Sequence, residues 1–183
     1  MTRTRFFPHA LALAALLALP VAQGANIDKA SYKAGKTRIS DEYKAASKAC
    51  SAQSANAKDI CVQEAKAKEK VARAELEYSY TGTDKDRTKV MVVKAESTYA
   101  VAKERCDDEK GNNKDVCVKT AKAAEVKAKA DAKMGKQITE AKTDAAQAKA
   151  DADYKVAAEK CDSLAGDAKS TCVSSAKARF GKS

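Results

Sequence analysis

Two cysteines with ten residues between them recur three times in this chain, as CSAQSANAKDIC from Cys50, CDDEKGNNKDVC from Cys106 and CDSLAGDAKSTC from Cys161. Around each pair the sequence reads Y-x6-C-x10-C-V-x-x-A-K-A. Tyr43, Tyr99 and Tyr154 precede the first cysteine by seven residues, and Val62, Val118 and Val173 follow the second directly. Successive units are offset by 56 and then 55 residues, the regularity of one structural unit duplicated in tandem.

The stretch inside each pair reads as a bend. Five residues after the first cysteine stand Ala55, Gly111 and Gly166, followed by Asn56, Asn112 and Asp167. Glycine suits the left-handed position that ends a helix, and asparagine or aspartate suits the cap that begins the next. Asn56, Gly111, Asn112, Gly166 and Asp167 are therefore read as a helix-capping turn. A continuous helix would hold the two cysteine Cα atoms about 16 Å apart, whereas a disulfide tolerates at most about 7 Å. A helical hairpin closes that gap, and the expected bonds are Cys50–Cys61, Cys106–Cys117 and Cys161–Cys172. Each loop is short enough for a bond to add roughly 2 to 3 kcal/mol.

Composition explains why staples are needed. Bulky apolar residues such as Ile39, Leu76, Val90, Val126, Ile138 and Phe180 are scattered, there is no tryptophan, and the later of the two prolines is Pro20. Alanine, lysine, glutamate and glutamine are good helix formers, so long helices with a thin core follow. An alanine-lined hairpin buries little area, and at about 25 cal/mol per Å² that hardly offsets the ordering entropy of two arms; the disulfide clamps what packing holds weakly. Cys61, Ala65, Ala72 and Leu76 follow helical spacing on one arm, and Tyr99, Ala102 and Cys106 on another, the pattern of a small-residue seam closed by tyrosine. The richest apolar segment, KVMVVKAESTYAVAKERC, with Val90, Val93, Tyr99 and Val101, reads as the centre of the core.

Between units, YTGTDKDR is the clearest break, with Gly82 as a stop and Thr83 or Asp84 as a start. The second boundary has two readings. Either the chain turns at Gly135, giving six antiparallel helices, or one long helix runs from about Asn113 to Lys160; MGKQITEAK has no strong cap, which favours the long helix. The expected fold is all-α: an elongated, coiled-coil-like array of three disulfide-stapled antiparallel helical hairpins with a thin alanine-rich core. Its units span 25–82, 83–135 and 136–183, after a signal peptide at 1–24.

That leading segment has Arg3 and Arg5 before an apolar stretch from Ala10 to Leu19, then Ala22-x-Gly24 as a cleavage site. The stretch is short of the roughly 20 apolar residues that span a bilayer. Export with cleavage near Gly24 places the protein in the periplasm, an oxidising compartment where cysteines pair. Cleavage lowers the formal net charge from +10 to +8 and removes His9, the single histidine. A chain without histidine lacks the Ser-His-Asp and Cys-His constellations and histidine metal sites. Zinc sites use closer ligand pairs, and thiol oxidoreductases use C-x-x-C at a helix start. The chain reads as non-enzymatic, with no cofactor, metal or small-molecule substrate.

Lysines recur at nearly every helical turn, as in AKAAEVKAKADAKMGK, with acids interspersed. The plain reading is a solvated, salt-bridged helix surface. The sharper one is a face that binds anionic envelope polymers: lipopolysaccharide, anionic lipid or nucleic acid. Few arginines and little aromatic interleaving argue against nucleic acid. The alanine seams also offer a surface for self-association or for an envelope protein.

Helices such as AKTDAAQAKADADYKVAAEK behind an export signal resemble the long stalk of TolA-type cell-envelope proteins of Gram-negative bacteria. The C-x10-C-V-x-x-A-K-A units are similar to those of small exported beta-proteobacterial proteins that carry a TolA-like label. TolA proteins have a membrane anchor at the start and a globular partner-binding domain at the end. Here the leading segment reads as cleavable and KARFGKS follows the third unit directly, so the resemblance implies periplasm and cell envelope and transfers no residue. The function expected from the sequence is a structural or interaction element of the envelope.

Overall fold

The computed structural model describes residues 26–182, and the signal peptide expected at 1–24 lies outside them. Five helices follow one another: α1 (Lys29–Ala49), α2 (Ala55–Thr81), α3 (Asp84–Arg105), α4 (Gly111–Cys161) and α5 (Gly166–Arg179). No strand occurs among the described residues. The protein is an all-α array in which three disulfides, each across ten intervening residues, join α1 to α2, α3 to α4 and α4 to α5.

Each helix starts and stops for a local reason. Asp28 caps α1, its Oδ1 accepting from the Ser31 N–H at 2.7 Å. Helix α2 ends at Gly82, which is left-handed (φ +64°) and donates its N–H to the Tyr78 carbonyl at 2.8 Å. Thr83 then caps α3: its Oγ1 accepts from the Asp86 N–H at 3.1 Å, while Asp86 Oδ2 accepts from Thr81 and Thr83 hydroxyls at 2.6 and 2.7 Å. The Asp86 N–H, one of the helix's unpaired backbone donors, is satisfied in this way, and of the two candidate starts it is Thr83 that serves as the cap.

The helices lie as a meander, with α1 packed on α2, α2 on α3, α3 on α4 and α4 on α5. A domain normally buries its apolar stripes between two layers; here the first four helices form one layer and the buried residues line its seams. Ile39 on α1, Ala65 and Ala74 on α2, Val90 and Ala95 on α3 and Ala132 on α4 are the buried apolar positions of this layer besides cysteine. Helices α2 and α3 are the inner pair of the row; of the apolar residues of α3 named above, Val90 is buried and Val93, Tyr99 and Val101 are half-buried. At one point the seam closes on a single large residue: a Cβ on Gly35 of α1 would meet Leu76 Cδ1 of α2 at 2.7 Å.

Helix α4 runs unbroken for 51 residues through Gly135, about 76 Å of helix. The second boundary is therefore a shared helix, and the six-helix alternative with a turn at Gly135 is ruled out. One glycine in a run of good helix formers costs about 1 kcal/mol, too little to end it without a cap. The N-terminal part of α4 pairs with α3, where Arg87 donates to Thr139 Oγ1 at 2.8 Å. Its C-terminal end carries α5, where Lys182 pairs with Asp151. In between, residues 140–149 are exposed on every side.

A helix segment with no tertiary partner relies on propensity alone and opens locally at low cost. Hydrogen exchange read by mass spectrometry is expected to show residues 140–149 exchanging faster than any other helix interior, with α3 slowest. Protection of 140–149 equal to that of α3 would contradict the single-layer arrangement.

Candidate functional site

The three cysteine turns share one backbone hydrogen bond. After the first cysteine the chain tightens into a turn in which the N–H three residues on donates to the cysteine carbonyl: Gln53 to Cys50, Glu109 to Cys106 and Leu164 to Cys161, at 3.1, 3.1 and 3.0 Å. An extended residue follows, Ser54, Lys110 or Ala165, and then a left-handed one, Ala55 (φ +48°), Gly111 (+54°) or Gly166 (+57°), from which the second arm departs. The cysteine Cα atoms thereby come within 5.6, 5.7 and 5.7 Å, inside the reach of a disulfide. Cys50, Cys106 and Cys161 are 1, 1 and 0 % exposed and are the largest fully buried side chains.

This geometry corrects the expected roles of the turn residues. Gly111 and Gly166 do adopt the left-handed conformation, but they open the second helix, because the first arm has already ended in the tight turn at the cysteine. The residues at the cap positions are Ser54, Lys110 and Ala165, and none caps with its side chain. Asn56, Asn112 and Asp167 fall in the first helical turn instead. Asn56 serves another purpose: its Nδ2 donates to the Glu104 carbonyl at 3.1 Å, tying the first bend to the end of α3.

Sequence reasoning missed a clamp across the bend. Lys114 meets Asp107 at 2.8 Å and Lys169 meets Asp162 at 3.0 Å. In both units the aspartate directly follows the first cysteine and the lysine lies eight residues after that cysteine. The bond to Asp107 raises the Lys114 pKa. The signal was present as C-D-x6-K in two units, with Ser51 standing in place of the acid in the first.

Between helices the fastening is ionic. Arg105 meets Glu64 and Lys94 meets Glu75, both at 2.6 Å, across α2 and α3. Across α3 and α4, Lys129 meets Glu96 at 2.7 Å and Lys122 sits 4.8 Å from the centroid of the Tyr99 ring; within α4 the same two lysines meet Glu125, Lys129 at 2.7 Å and Lys122 at 2.6 Å. Glu125 is the buried carboxylate of this network, 5 % exposed. The bonds from Lys122 and then Lys129 hold its pKa below the ordinary value.

One concavity draws on three helices. A cleft of about 470 Å³ is lined by Tyr32 and Lys36 of α1, by Lys70, Arg73, Leu76 and Glu77 among others of α2, and by Lys89, Val93, Glu96 and Ser97 of α3. Tyr32 stacks on Tyr80 at 4.4 Å between ring centroids, and its hydroxyl donates to Glu77, which with burial raises the phenol's pKa. Ser97 is 6 % exposed and its hydroxyl has no hydrogen-bond partner among the described residues. A second groove follows the α2–α3 seam over Ala67, Val71 and Val101. Among the described residues no group of three or more histidine, cysteine, aspartate or glutamate side chains gathers as a metal site, and no helix is long and apolar enough to cross a membrane.

Two consequences are measurable. A left-handed alanine is strained by about 1 kcal/mol relative to glycine, so Ala55→Gly is expected to raise the stability of the disulfide-intact protein by about that much in denaturant titration, and Gly111→Ala to lower it similarly. Because folding lowers the Glu125 pKa from its ordinary value of 4.5, its contribution is complete above that pH and is lost as pH falls through the lowered folded value. Glu125→Gln is expected to flatten the acid limb of a melting-temperature profile below about pH 4.5, and an unchanged limb would show that the network adds nothing.

No family model matches the chain, and no curated protein or solved structure is significantly similar to it.

Proposed function

We propose that this protein is a non-enzymatic structural or interaction element of the cell envelope, exported to the periplasm, as its TolA-like stalk composition implies. The observation that carries this reading is the use of disulfides as the centre of the fold: the largest fully buried side chains are three half-cystines. A fold fastened that way depends on an oxidising compartment, in agreement with the export signal read at residues 1–24. The chemistry is consistent with a passive role. After residue 24 there is no histidine, and all six cysteines are paired.

The single layer supports spacing and contact over enclosure of a substrate. It presents long faces edged by exposed lysines and acids, and α4 carries the third hairpin away from the first two on a bare length of helix. Such a molecule spans distance for a given chain length and offers more than one surface to partners.

Small-angle scattering on the oxidised mature protein tests this. A compact chain of this size has a radius of gyration of about 15 Å; the expected value is well above that, with a maximum dimension at least that of α4, about 76 Å. Full reduction should lower the melting temperature without aggregation being required for the loss. A radius near the compact value, or a melting temperature indifferent to reduction, would overturn the proposal.

A further inference from the structure

We infer that the cleft between α1, α2 and α3 is a binding site for a phosphate-bearing amphiphile, with the phosphate among Lys36, Lys70 and Lys89 and the apolar portion against Ala74, Leu76 and Val93. Each of the three helices contributes one of these lysines. The cleft thus takes its lysines from three helices, whereas the α2–α3 groove takes its basic lining residues from two.

The charges already present are unevenly satisfied. The cleft is lined by four basic and two acidic side chains. Both acids are engaged: Glu77 accepts from the Tyr32 hydroxyl, and Glu96 is paired with Lys129 at 2.7 Å. Arg73 is held by Glu69 at 2.7 Å. Lys36 lies over the Tyr32 ring at 4.6 Å from its centroid, and neither it nor Lys70 nor Lys89 forms an ion pair among the described residues. The acid one turn before Lys89, Asp86, accepts from the Thr81 and Thr83 hydroxyls, which lower its pKa with a smaller attraction from Lys89 and Lys85, and it forms no direct ion pair with Lys89.

The ligand class follows from that surplus. Formal lining charge of +2 matches a phosphomonoester, which carries about −1.5 to −2 near neutral pH and presents three acceptor oxygens. Three ammonium groups act as point charges with freely rotating donors, each able to address a separate oxygen of one phosphate. Ala74, Leu76 and Val93 supply an apolar floor beside these charges. A volume of about 470 Å³ falls in the range of small-ligand pockets. Free phosphate would leave the apolar floor wet, so the hydrocarbon portion is part of the proposal. The site stands independently of the envelope-spacer role, because losing it changes neither the staples nor the molecular shape.

The test is calorimetric titration of the oxidised mature protein with dihexanoyl phosphatidic acid below its micellar concentration, with inorganic phosphate and dihexanoyl phosphatidylcholine as comparison probes. The expected result is saturable binding of the phosphatidic acid, at least about tenfold tighter than either comparison probe. In K36Q/K70Q/K89Q, binding should weaken by at least about tenfold, the loss of more than one charge-assisted contact. In K142Q/K149Q/K155Q, which makes the same change in net charge on α4 away from the cleft, affinity should hold. Circular dichroism and scattering on both variants confirm that the array is intact. The inference is overturned by absence of saturable binding, by equal affinity in the cleft variant, by equal losses in the two variants, or by inorganic phosphate binding as tightly as the amphiphile.

Discussion

The bend that each disulfide closes is the constraint on which this structure rests. Two helices lined with alanine have little to hold them together: a methyl group buried against a methyl group contributes a fraction of what leucine would, at about 0.8 kcal/mol per buried methylene. The cross-link removes that burden by shrinking the freedom of the unfolded chain. It needs the two cysteines within a few ångströms, and the tight turn at the first cysteine followed by a left-handed residue delivers this three times with the same backbone hydrogen bond. The half-cystine at each bend then becomes the buried centre that a larger protein would build from leucine and phenylalanine.

Covalent closure fixes each hairpin but says nothing about how one hairpin sits on the next. That task falls to charge. The pairs across α2–α3 and α3–α4 are mostly exposed, and an exposed pair is worth little, about 0 to 1 kcal/mol. Their value is in register: Arg105 with Glu64 and Lys94 with Glu75 are each satisfied at one alignment of the two helices. On α4, Glu125 is 5 % exposed and is offset by Lys122 and Lys129 of its own helix, and Lys129 carries that network across to Glu96 of α3 at 2.7 Å. A thin alanine seam would slide; these groups resist sliding.

The same economy of core shapes what the molecule offers to others. In a layer one helix thick, wherever three helices run side by side the middle one forms the floor of a trough. The cleft over α2 is such a trough, and it gathers lysines because the helix faces are lysine-rich and their acidic neighbours have been drawn into seams and caps. Further along, α4 leaves the layer and carries the last hairpin with ten exposed residues between its two contacts, so that hairpin is positioned by helix stiffness alone.

Much of this was legible in the chain. The spacing of Cys50 and Cys61 and of their two repeats demanded hairpins, because a disulfide cannot reach across a straight helix. The absence of a cap near Gly135 favoured the long α4, and the break at Gly82 with Thr83 marked the turn into α3; both are local signals carried by neighbouring residues. The role of Gly111 and Gly166 was half legible, since their need for a left-handed conformation is intrinsic to glycine, but whether they end one helix or begin the next depends on where the preceding turn stops. Sequence by itself determined helix content, staple pairing and the scarcity of core. Only the tertiary structure decided that the helices form a single layer, that Glu125 is buried with its neighbour Lys129 reaching across to Glu96, and that Lys36, Lys70 and Lys89 line one cleft. Those outcomes depend on which faces of different helices meet. In a chain of near-uniform alanine and lysine, periodicity does not mark one face above another, and only the assembled helices bring such distant residues together.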